Sequence, residues 1–236
     1  MTPPCWPAWA LCHLPTASGF IPAEERASLR LSEGELAVEQ AQCTAHRVAD
    51  LFARELPAWQ VLEAPCSPLI IDFTRSPEEQ ELADEAAARL LGTYYHPHQA
   101  WFAAKVALVL AMHGRCLVVN ASTFPDEEPA FEVDEQLAPK PDVRIGGHPR
   151  HTPARLIELF AAAFHGHAWS VQFAPVHELA VVPPLHEGGD ARVQSISIEL
   201  NRRLYWNEAA GRPSARYEST RERLSAALGA AFARLP

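Results

Sequence analysis

The sequence predicts a three-layer α/β/α domain on a mainly parallel, mixed sheet. Short, continuous apolar runs at Leu69-Ile70-Ile71 and at residues 116–119 read as strands buried on both faces. These runs alternate with helical stretches of ten or more residues, as parallel crossovers require. No internal repeat and no linker-like stretch divides the 236 residues, so one domain over 1–236 is expected, with a proline-rich lead-in over 1–22.

In chain order, residues 9–13 suit a short strand after the prolines at 3, 4 and 7. Residues 35–56 suit a helix, with Leu36, Val38, Val48, Leu51 and Phe52 as its apolar positions and Pro57 as its stop. Residues 60–63 and 68–73 read as strands. Ser76-Pro77-Glu78-Glu79 is a helix start, with a cap, proline in the first turn and early acids; Gly92 marks the end. Residues 97–113 form the clearest helix, stopped by Gly114, and residues 116–120 follow as a buried strand. Residues 126–135 hold six acids and read as a solvated loop. A helix over 153–164, strands over 169–174 and 193–200, and a terminal helix over 214–234 complete the chain.

Composition excludes several function classes. Lys plus Arg is 20 against 29 for Asp plus Glu, a net charge of −9, which opposes general binding to a phosphate backbone. No apolar run of membrane-spanning length occurs, so neither a nucleic-acid nor a membrane partner is expected. The first residues lack a basic segment followed by an apolar one, which predicts a cytoplasmic protein. Five widely spaced cysteines, with no C-x-x-C, read as buried thiols. P-loop, dinucleotide-binding and nucleophile-elbow motifs are absent from the sequence.

Ligands of open α/β sheets sit beyond the carboxyl ends of the strands. That directs attention to residues 72–75, 120–123 and 199–203. At these ends the chain resembles the N-formylglutamate amidohydrolase (deformylase) family. Pro15-Thr16-Ala17-Ser18-Gly19-Phe20-Ile21-Pro22 is similar to that family's Pro-His-Ser/Ala-Gly-x-x-Ile-Pro. Ile71-Asp72-Phe73-Thr74-Arg75 is similar to its Ile-Asp-x-Asn-Arg, and Pro141-Asp142-Val143-Arg144-Ile145-Gly146 to its Pro-Asp-x-x-Leu-Gly turn. Asn120-Ala121-Ser122-Thr123-Phe124-Pro125 stands where the family has Asp-x-His-Ser-Phe-Pro. The most specific segment, Glu199-Leu200-Asn201-Arg202-Arg203-Leu204-Tyr205-Trp206-Asn207-Glu208, is similar to Glu-x-Asn-Arg-x-Leu-Tyr-Met-Asp-Glu.

The resemblance implies a zinc-carboxypeptidase-like fold and metal-assisted hydrolysis of an N-formyl or N-acyl amino acid, with Glu199 as the carboxylate that moves the proton. It also implies a small anionic, amino-acid-like ligand held by Arg75, Arg144 and Arg202, with Asn120, Thr16 and Ser122 at the site. The family's two motif histidines are matched here by Thr16 and Ser122, and the aspartate before the second by Asn120. The aspartate of its early helix falls near Ala45 or His46. Neutral hydroxyls bind zinc poorly beside imidazole and carboxylate, so zinc is expected to be weak or absent. The metal candidates that remain are His13, Asp72 and His186. His96 and His98 form a His-x-His pair but bracket Pro97, where the two rings do not share a face.

Each role has a plainer alternative. Glu199 is also the polar member of an alternating strand. Arg75 and Arg144 also suit surface ion pairs, and Arg202-Arg203 also suit anchoring of a strand end. A scaffold that binds a ligand or a partner without catalysis is the second functional expectation.

Overall fold

The fold is known from a computed structural model, and the structure describes residues 6–80, 82, 84–126, 140–174 and 180–236. Its centre is a six-stranded sheet of β1 (Ala10–Leu14), β2 (Val61–Glu63), β3 (Cys116–Phe124), β4 (Val143–Gly147), β5 (Val171–Phe173) and β6 (Val193–Asn201). The order is β2-β1-β3-β6-β4-β5. Every neighbouring pair is parallel except β4 with β6, which is antiparallel. The mixed, mostly parallel α/β architecture is therefore the one expected.

Alternation of side chains along the strands sorts the core into two layers. Leu117, Val119, Ala121, Ile196, Ile198, Val143 and Ile145 face α3 (Val48–Phe52), α6 (Ala154–Gly166) and α7 (Tyr217–Phe232). Leu11, Val118 and Val193 face α5 (His96–His113), which covers the other side with Phe102, Val106 and Val109. Asn120, Ser122 and Glu199 follow the second alternation and so lie on the α5 side of the sheet.

Four expectations need correction. The helix expected over 35–56 is two helices, α2 (Glu33–Cys43) and α3. Ser32 caps α2 reciprocally with Glu35, but Thr44 is extended and Arg47 takes a left-handed φ of 62°. Tertiary hydrogen bonds override the local helical preference there: the Ala45 amide donates to the Thr16 carbonyl at 2.8 Å. The stretch 68–73 is not a strand. Ile70 and Ile71 donate back to the Ser67 carbonyl, and Gln80 grips both backbone groups of Asp72. Its buried Ile70, Ile71 and Phe73 build a separate core with Leu90 and Tyr95, so burial without pairing explains the apolar run.

The helix expected from Ser76 to Gly92 has neither end there: Ser76 caps only a 3₁₀ turn (Pro77–Glu79) that stops at the extended Gln80, and Gly92 does not end a helix. The chain runs from α4 (Asp84–Leu90) through a π-turn (Leu91–Tyr95) directly into α5. The wider turn absorbs the amide that Pro97 cannot supply. Residues 143–147, read as part of a turn, are β4. The inward Val143 and Ile145 around Arg144 carry the alternation of a strand. Of the acidic stretch expected as a loop, residues 127–135 lie outside the described residues. Asp126 accepts from Asn201 and pairs with Arg203. Among the described residues, no helix is long and apolar enough to cross a membrane.

Candidate functional site

Three strands bring the site together. In the register of the sheet, Ser122 on β3 pairs with Glu199 on β6, and Glu199 pairs with Arg144 on β4. Residues paired across neighbouring strands project to the same face, so Ser122, Glu199 and Arg144 form one polar row. Thr16, two residues past β1, joins it: Thr16 Oγ1 lies 2.6 Å from Ser122 Oγ. The Arg144 guanidinium rests over the Phe124 ring, 4.1 Å from its centroid, a cation–π contact. Glu199 is half-buried. Thr16, Ser122, Glu199 and Arg144 thus share one place, at the carboxyl ends of β3 and β6.

Beneath this row lies a buried polar chain. Asn120 Nδ2 donates to Ser195 Oγ at 2.9 Å and to the carbonyls of Val181 and Ile196. Those partners fix the amide orientation, leaving Oδ1 to accept from His13 Nδ1–H at 2.7 Å. A neutral His13 then presents a bare Nε2, so the proton in its 3.1 Å contact with His98 Nε2 must come from His98. Phe102 stacks on His13 and Phe73 lies against His98. Burial pushes His13 down to about 4, against the smaller upward pull of its Asn120 bond. Burial, with His13 alongside, pushes His98 down to about 3. The sequence offers His98 only in the His-x-His pair with His96 and not as a partner of His13, because a histidine beside a proline carries no signal of a contact 85 residues away.

Both histidines are therefore neutral when folded and charged in the unfolded chain below about pH 6.5. The unfolded state binds more protons there, so stability is full above pH 6.5 and falls as pH drops toward 4. At pH 5 the cost is about 2 kcal/mol for each ring. A urea titration at pH 7.5 and at pH 5 should show this loss, and His98→Gln, which can still donate to His13, should shrink it. An equal loss in that variant would contradict the assignment.

The other expected residues lie elsewhere. Arg202 is 1 % exposed and spends its guanidinium on the chain itself. It donates to the carbonyls of Ala41 (2.6 Å), Gln42 (2.6 Å) and Thr44 (2.8 Å) and to Thr123 Oγ1. Its place as a ligand-binding residue is corrected: Arg202 closes the end of α2, where helix carbonyls lack partners. Arg203 ties Asp126 and Asp142 together. Arg75 sits beside Asp72 at 3.3 Å and lines a small cleft with Phe73, Tyr95, Gln99 and Glu187.

The metal candidates do not meet. His13 is committed to Asn120 and His98. Asp72 Oδ1 accepts from the Thr74 amide and hydroxyl, and Oδ2 faces Arg75. His186 Nδ1 stands 3.5 Å from Asp190, its Nε2 buried without a partner. Among the described residues no three His, Cys, Asp or Glu side chains converge as a metal ion would need. At the positions matching the family's histidines, two neutral hydroxyls bond to each other. The described residues at these positions do not fit a catalytic zinc.

The family model for N-formylglutamate amidohydrolase matches residues 79–206, more than half of the chain. Among solved structures, an N-formylglutamate amidohydrolase from Ralstonia eutropha JMP134 is similar with a TM-score of 0.71 and 16 % identity, over 93 % of this chain and 91 % of that one. A gene product from Agrobacterium tumefaciens is similar with a TM-score of 0.65 and 18 % identity, over 93 % and 90 %. No curated protein matches the chain. At these identities the structures speak for the fold, and the family model carries the assignment: the chain belongs to the N-formylglutamate amidohydrolase family.

Proposed function

We propose that this family member binds a small, anionic, amino-acid-like ligand at its strand ends without zinc-dependent amide hydrolysis. The observation that carries the reading is the 2.6 Å hydrogen bond between Thr16 Oγ1 and Ser122 Oγ. Metal-assisted hydrolysis needs donors that hold the ion and leave one position open for water. Two hydroxyls bonded to one another offer neither charge nor a strong lone pair.

Around that pair the polar character of a binding site persists. Arg144 supplies a cation, Glu199 a carboxylate that accepts amide or ammonium protons, and Thr16 and Ser122 short-range polarity. An N-acyl amino acid presents a carboxylate and an amide N–H, which suit these two charged groups. Arg75 lines the small cleft of Phe73 and Tyr95, whose walls include none of Thr16, Ser122, Arg144 or Glu199.

Calorimetric titration with N-formyl-L-glutamate, alongside a formate-release assay, tests this. Binding without formate is the expected result, with Arg144→Ala weakening it about tenfold or more, as for a charge-assisted hydrogen bond. Formate release that Glu199→Ala abolishes would overturn the reading. So would a failure of the ligand to bind.

A further inference from the structure

We propose that the cleft between α5 and residues 181–187 is a site for a small primary ammonium ion, apart from the strand-end row. Its walls include Phe73, Arg75, Tyr95, Gln99, Val182 and Glu187. The choice of ligand follows from which polar groups of the wall are already spent. Arg75 faces Asp72 Oδ2 at 3.3 Å, which offsets its charge. The Thr74 hydroxyl donates to Asp72 Oδ1 at 2.6 Å, and Ser76 caps its own turn with Glu79. Gln99 spends its amide N–H on the Tyr95 hydroxyl, which leaves Oε1 as the free end. That Oε1 is buried and has no hydrogen-bond partner. Glu187 is exposed, and among the described residues no hydrogen bond or ion pair engages its carboxylate.

The two polar groups left without a partner, an amide oxygen and a carboxylate, are both acceptors. A buried acceptor with no donor is costly and rare, so the guest that completes this wall brings N–H. Opposite a carboxylate it also brings positive charge. A primary ammonium supplies both, with three donors on one atom. The field agrees. Burial first, and then Glu187, Glu78 and Glu79, push the Tyr95 hydroxyl up to about 12, so carboxylates gather around this cleft. Nor does the helix invite an anion here. α4 runs through the π-turn into α5, so Tyr95 and Gln99 do not stand at a free helix N-terminus.

Size and lining limit the rest of the ligand. The cleft holds about 260 Å³, part of it open to solvent. That is below the roughly 300–1,000 Å³ of sites for drug-sized molecules. Phe73, Val182 and Pro184 give it an apolar lining. The class that fits is an ammonium on a short hydrocarbon chain.

Heteronuclear NMR of the intact, nitrogen-15-labelled chain tests this, with the backbone amides of Gln99 and Val182 followed at constant ionic strength. n-Butylammonium chloride should shift both amides and saturate in the millimolar range, as befits so few atoms. Sodium butyrate, of opposite charge, should not displace it. Tetramethylammonium chloride, of the same charge but without N–H, should bind at least tenfold more weakly. Glu187→Gln changes an exposed side chain and should weaken n-butylammonium about tenfold, the loss of one charge-assisted partner. Gln99→Leu, which removes the unpartnered oxygen, should do the same with unchanged circular dichroism. Displacement by butyrate would give the cleft to Arg75 and an anion and overturn the proposal. Equal binding of tetramethylammonium would reduce the effect to charge alone and overturn it too. So would amides that do not move with n-butylammonium, or binding that neither variant weakens.

Discussion

Arg202→Ala should destabilise the protein by about 3–5 kcal/mol, the cost of a large buried cavity and of buried carbonyls left without a donor. At this chain length that corresponds to a fall in Tm of roughly 10 °C. Three backbone carbonyls, at Ala41, Gln42 and Thr44, lose their donor at once. Each unsatisfied acceptor costs about 1–3 kcal/mol, less whatever water recovers. The damage reaches the site through Thr44 and Ala45, because the Ala45 amide holds the Thr16 carbonyl. Arg202→Lys keeps the charge but not the planar fork, and should recover only part of the loss. Urea denaturation of the three proteins provides the measurement. A loss below about 1 kcal/mol in the alanine variant would return Arg202 to the ligand-binding set.

Restoring family donors should restore a metal. Thr16 and Ser122 touch, and Ala45, which with His46 is one of the two positions near which the family's aspartate falls, is buried against Thr16 through its amide, so these three positions are neighbours. A chain carrying Thr16→His, Ala45→Asp and Ser122→His would present two imidazoles and one carboxylate, a three-ligand set with one position open. We expect it to hold one zinc per chain through gel filtration, where the parent holds none. The larger side chains overpack the site by about 1–3 kcal/mol each, so the apo variant should be less stable and zinc should raise its Tm. A folded triple variant that takes up no zinc would show that the backbone no longer places these residues as the family does.

Much of the architecture was legible because it rests on local chemistry. Gly114 at a φ of 70° is a stop signal written within a few residues, and Ser76 with Glu79 is a cap, though of a single 3₁₀ turn and not of the longer helix expected there. Two of the failures come from long-range contact. Residues 68–73 are as apolar as a strand but bury themselves against Leu90 and Tyr95. The break between α2 and α3 depends on Thr16 and on Arg202, far along the chain.

The site divides in the same way. Residue type alone marked Thr16 and Ser122 as poor ligands. That they bond to each other emerged only when β1 and β3 were laid side by side. The pairing of His98 was unreadable for the same reason: its partner His13 lies on another element, and only packing brings them within 3.1 Å.

The central claim is that the zinc chemistry of the family has no place at Thr16 and Ser122. Zinc content of the wild-type chain, purified without chelator and dialysed against zinc, tests it most directly. The account predicts far less than one zinc per chain and the same Tm with and without added zinc. One zinc per chain, bound tightly enough to raise the Tm and lost on Ser122→Ala, would contradict it.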